Sequence, residues 1–114
     1  MPKDDLVYVG HMLDMARKAQ DLLSGKTRAM YDADEPLRLA LVYLIQTVGE
    51  AARKVSPEYK AAHPEIPWAR ITGIRHRIVH DYLHVDYDMV WDVVTANFPE
   101  LIRDLAGIAP PSAG

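Results

Sequence analysis

The chain has 114 residues, no cysteine and a formal net charge of −3. That length allows one domain around one compact core, and the lack of cysteine excludes a disulfide framework, a thiolate nucleophile and a Cys-based zinc site. Apolar residues make up 49% and charged residues 25%, the balance of a folded globular protein, and an acidic total argues against a general nucleic-acid coat, which carries a basic footprint.

The opening "MPKDDLVYVGHML" lacks the apolar stretch of a signal peptide. The longest unbroken apolar run, Leu39 to Ile45, is far short of a membrane span, so a cytoplasmic protein is expected. A first helix is predicted from about Asp4 to Leu23. Leu6, Val9, Leu13 and Ala16 recur at helical spacing, Asp4 and Asp5 favour the first turn, and Ser24-Gly25 supplies a stop. The phrase "SGKT", Ser24 to Thr27, resembles the end of a phosphate-binding loop. Gln20 stands where such a loop needs glycine, and no strand precedes it, so it reads as a helix-ending loop.

A second helix is predicted from near Pro36 to Ser56-Pro57. Leu37, Leu41, Leu44, Val48, Ala51 and Val55 form one stripe, which Val42, Tyr43 and Ile45 widen almost all the way round. A helix this apolar is buried on more than one side, and in so small a domain one side is open to a partner subunit. "VGEAA", Val48 to Ala52, offers small residues for close approach. A short turn follows, with Ser56 as its cap. Pro67 opens a third helix expected to reach about Tyr82. Asp86 caps a fourth, in which Tyr87, Val90, Val94, Phe98, Leu101 and Leu105 repeat at helical spacing and Pro99 should kink or split the rod. No β-alternation is visible. The expected fold is all-α, a small antiparallel bundle of four to five helices. Residues 1–106 form its single domain and residues 107–114 a flexible tail.

The chemistry concentrates in "RITGIRHRIVHDYLH", residues 70–84. Three arginines and three histidines stand there against one acid, Asp81. Projected as one helix, Ile71, Ile74 and Ile78 share the core side, while Arg75, His76 and His80 occupy one flank over Thr72 and Gly73. A glycine inside a helix costs about 1 kcal/mol relative to alanine and is best tolerated where something approaches the backbone. This local basic patch on an acidic body has the character of an anion site. His76, His80 and His84 also recur every four residues, a spacing that can hold zinc. The HExxH glutamate is missing and the neighbouring arginines disfavour a cation, so no metal and no cofactor are expected.

Arg75, four residues, His80, one residue, Tyr82 resembles the signature of the HEPN superfamily in its HepT-like branch of toxin ribonucleases. "GEAARKVS", "HPEIPWARITGIRHRIVHDY", "VDYDMVW" and "FPELIRDL" resemble segments of that branch in order and spacing. One departure stands out, because the residue after the arginine is commonly Asn there and is His76 here. The resemblance implies an all-α HEPN-like homodimer, with the Arg–His motifs of both chains facing one cleft. It implies a metal-independent RNA endonuclease, the toxin of a toxin–antitoxin pair. Its partner would be a nucleotidyltransferase antitoxin that silences it by moving AMP onto Tyr82.

The chemistry can be set beside that resemblance. RNA carries its own nucleophile, the 2′-OH, so its cleavage needs a base, an acid and a cation, whereas DNA is not an expected substrate. Histidine serves as base or acid near neutral pH, the part assigned to His80. Arg75 would grip the phosphate and stabilise the transition state. His76 is a candidate for the second proton transfer. Glu50 is a supporting candidate, by default exposed beside Gln46 and Arg53, that could otherwise orient Arg75. The alternative is a non-catalytic helical module that binds a nucleotide or docks a nucleotidyltransferase.

Overall fold

The computed structural model describes residues 2–81 and 84–109. In chain order the elements are α1 (Pro2–Leu23), α2 (Arg28–Asp32), α3 (Glu35–Lys54), α4 (Pro57–Ala62), α5 (Trp68–Thr72) and α6 (Ile74–Ile78). A hairpin follows, β1 (Val79–Asp81) and β2 (His84–Val85). Then come α7 (Tyr87–Asp92), a π-helical turn (Val93–Asn97) and α8 (Phe98–Ile108). The all-α expectation holds, with this small hairpin as an addition. α8 continues two residues past the expected start of the tail at residue 107. Among the described residues no helix is long and apolar enough to cross a membrane.

α1 and α3 pack along their lengths and run antiparallel, because the start of one is tied to the end of the other. Asp5 accepts hydrogen bonds from the Ser56 backbone N–H at 2.8 Å and from its hydroxyl at 2.7 Å. The same hydroxyl accepts the Tyr59 N–H and so caps α4, as the sequence suggested. Asp5 is only 4% exposed. The Ser56 N–H holds its carboxyl below the usual carboxylate range, against the opposing effect of burial. Its lowered folded-state pKa contributes stability that is fully present above the unfolded value of about 3.9 and is lost as pH falls through the folded value. Asp5→Asn is therefore expected to cost about 2 kcal/mol in urea unfolding at pH 7. The gap from wild type should close at acid pH.

The remaining core comes from the stripes seen in the sequence. Val9, Met12 and Ala16 of α1 meet Leu41, Ile45 and Val48 of α3, with Val90, Phe98 and Leu105 closing the far side. α3 is less enclosed than expected. Ile45 is buried and Val42 half-buried, but Tyr43 is 67% exposed and Leu39, one turn earlier, 53%. Helix α2 was not anticipated. Thr27 caps it, and its Tyr31 is fully buried against Trp91 at 5.0 Å between ring centroids. Burial pushes the Tyr31 hydroxyl up to about 12. That hydroxyl donates to the Tyr87 carbonyl at 2.7 Å, while Arg28 spans Asp32 and Asp88. These contacts pin α2 to the start of α7.

Pro99 breaks the last rod as predicted, by a specific route. It sits in the first turn of α8, where its missing N–H is harmless. Before it, the Phe98 N–H bonds back five residues to the Val93 carbonyl, which makes the π-helical turn.

Candidate functional site

The charged segment is not one helix. Gly73, at φ −91° and ψ 3°, ends α5 and begins α6. Its N–H bonds the Ala69 carbonyl at 3.1 Å, and a Cβ at this position would lie 3.2 Å from that oxygen. A second glycine supports the joint from below. Gly49 of α3 is buried, and a Cβ there would stand 3.1 Å from the Ile71 carbonyl and 3.4 Å from the Ile74 side chain. The small residues of "VGEAA" thus serve close approach within the chain, seating α5–α6 directly on the α3 backbone. Ile71, Ile74 and Ile78 point into the core as expected.

The predicted helix to Tyr82 ends at Ile78, because Val79 turns into extended backbone at φ −115° and ψ 104°. The Asp86 N–H takes the Ile78 carbonyl at 2.7 Å, and the Asp86 carboxylate accepts the Met89 N–H at 2.9 Å. One residue therefore closes α6 and opens α7. Between those points β1 and β2 pair antiparallel, Val79 with Val85 and Asp81 with His84, and the register slips between Val79 and Asp81. His80 occupies that slip, a β-bulge. Bulges bend a strand and re-aim a side chain, and they are common beside active sites.

The expected stacking of His76 with His80 on one helix face is therefore corrected, since His80 lies on the strand. The side chains of Arg75, His76 and His80 are all exposed and make no hydrogen bond or ion pair among the described residues. His84 is exposed and its Nδ1 meets the Asp81 carboxylate at 2.9 Å. Glu50 is exposed on α3 and pairs with Arg53 at 3.7 Å, not with Arg75. Among the described residues no group of three or more His, Asp or Glu side chains could hold a metal ion. Tyr82 lies outside the described residues. Trp68 is buried, with its indole N–H donated to the His63 carbonyl at 2.9 Å.

The arrangement gives two faces to one short helix. Arg75 and His76 leave α6 into solvent, followed by His80 on the bulge, and among the described residues no acid forms an ion pair with them. That is a place for an anion, with proton-transfer groups beside it. On the other side, Arg70 and Arg77 border a slot against α8 that sequence reading missed. Five of its eleven lining residues lie between Asn97 and Asp104, and no spacing rule joins those to the arginines.

A family model described as "Ribonuclease HepT-like" matches residues 12–108. A protein of Thermococcus cleftensis named "Probable ribonuclease HepT" is 31% identical over 93 residues, covering 78% of this chain and 84% of that one. A protein of Caldanaerobacter subterraneus named as a "putative RNase" is 27% identical over 101 residues, with 89% and 90% covered. Another so named, from Methanocaldococcus jannaschii, is 24% identical over 115 residues, with 94% and 95% covered. No solved structure matches.

Proposed function

Because the chain belongs to the HepT-like ribonuclease family, we propose that it is a metal-independent RNA endonuclease and the toxin of a pair whose antitoxin is a nucleotidyltransferase. The observation that carries this reading is the unneutralised cluster of Arg75, His76 and His80 on an otherwise acidic protein. The 2′-OH of RNA attacks the adjacent phosphorus while a histidine takes its proton. The P–O5′ bond breaks, and a second group returns a proton to the departing O5′. The products are a 2′,3′-cyclic phosphate and a 5′-hydroxyl. Arg75 holds the phosphate as negative charge builds on it. His80 and His76 are the proton carriers.

The site is composite, built by two chains around a two-fold axis. In one chain Arg75 leaves a helix and His80 leaves the strand after it. The exposed Leu39 and Tyr43, one turn apart on α3, give a second chain apolar surface to cover. AMP carried by Tyr82 would add negative charge and a bulky base to the motif, excluding RNA by charge and by bulk.

The test is cleavage of RNA and of DNA of the same sequence by purified protein in EDTA, with intact mass recorded to show that no AMP is attached. RNA should be cut to cyclic-phosphate ends and DNA left whole. Protein of unmodified mass that cuts no RNA would favour the non-catalytic module.

A further inference from the structure

The slot beside the reaction face has its own chemistry. It lies between α5–α6 and the start of α8, is open on one side, and has a volume of about 200 Å3. Ile71, Ile74, Phe98 and Leu101 make an apolar floor, each of them buried. Arg70 and Arg77 stand on one wall. Glu100 and Asp104 stand on the opposite wall, one turn apart on α8. No ion pair joins these arginines to these carboxylates among the described residues. Arg77 instead reaches the Met89 sulfur at 3.8 Å.

Opposite charges that face each other over an apolar floor without closing leave a particular vacancy. It suits a flat group with apolar faces, acceptors on one edge and donors on another. We propose that the slot takes an unpaired guanine base of the RNA. The proposal rests on the ribonuclease reading for the source of that base. Guanine presents O6 and N7 together as acceptors, the pair that an arginine fork meets bidentately, and it carries an N2 amino donor for a carboxylate. Adenine places a donor beside N7, and thymine-like bases offer no amine at all. Single-stranded RNA is read in this way, by splayed bases bonded along their edges. Position also fits. Ile74 lines the slot, and the next residue, Arg75, lies outside its lining and is exposed to solvent. A strand crossing the exposed side of α6 would give its phosphate to Arg75 and a neighbouring base to the slot.

The experiment titrates 15N-labelled protein with GMP, AMP, CMP and UMP in turn. Shifts near Arg75 should be common to all four, since all carry phosphate. Shifts at Ile71, Ile74, Phe98 and Leu101 should follow GMP, bound about ten-fold more tightly than UMP. Glu100→Gln and Asp104→Asn should each weaken GMP about ten-fold; Glu100 is exposed and Asp104 half-buried, and neither belongs to the apolar core, so folding tolerates both changes. Four nucleotides that shift the slot equally, or none that shifts it, would overturn the assignment, as would GMP binding that ignores both variants. The outcome is independent of turnover. Guanine in the slot without RNA cleavage would sink only the nuclease reading, and cleavage without guanine in the slot would sink only this one.

Discussion

Replacing His80 by alanine is expected to lower RNA cleavage by about a hundred- to ten-thousand-fold, the usual worth of a positioned proton-transfer group. Arg75→Ala should cost about a hundred- to a thousand-fold, as expected when a charge stabiliser of the transition state is removed. Neither change should lower thermal stability measurably, because both side chains are exposed and make no ion pair among the described residues. Arg75→Lys should recover little, since an ammonium cannot grip a phosphate through two parallel hydrogen bonds. The two dead variants also test where the site lies. Mixed in equal amounts and allowed to exchange subunits, they should regain about a quarter of wild-type activity under two-fold symmetry. Half of the dimers would then be mixed, and each would hold one intact Arg75–His80 pair. A mixture that stays dead would place the working pair within a single chain. Full activity in His80→Ala alone would sink the catalytic assignment.

Ile78→Ala is expected to remove about 3 kcal/mol of stability, a large part of the 5–15 kcal/mol typical of a whole domain. In a thermal melt that is a fall of roughly 12 °C. Ile78 is fully buried, and its carbonyl holds the N–H of Asp86. It therefore anchors the helix that carries Arg75, the strand that carries His80 and the cap of α7 at one point. Ile78→Val should cost only about 1 kcal/mol. An alanine variant that melts within a degree or two of wild type would show that this junction is not part of the cooperative core.

The long helices were legible because their apolar residues recur often enough to fix a phase. Leu37, Leu41, Leu44 and Val48 fall on the buried side of α3, and Val90, Val94, Phe98 and Leu101 on that of the last rod. Caps were legible where their chemistry is local. Ser56 and Asp86 both accept the expected backbone N–H groups. The short pieces were not legible. Five residues of α2 make too few turns for a period, although Thr27 was a usable cap signal. "IVHDYLHV", Ile78 to Val85, has no Gly, Pro or Asn at its centre to mark a hairpin, so the helical phase of the three isoleucines was carried past its end. The two β-branched residues that pair, Val79 and Val85, were the available hint. The proposed site residues could be read as a list and not as an arrangement. Arg75 and His80 were named, but the change of backbone between them alters where each points.

The bulge at His80 also bears on how the separation of arginine and histidine can drift as sequences diverge. In an uninterrupted helix each inserted residue swings everything after it by about 100°, so the spacing would be locked. A bulge is an insertion already absorbed, with its extra residue pushed out of the ladder and the partner strand left in place. Descendants could lengthen or shorten this short loop of backbone by a residue while Ile78 stays seated and Asp86 keeps both of its hydrogen bonds. The strand from Val79 to Asp81 is thus the elastic part of the motif, and Ile78 and Asp86 on either side of it are the rigid part.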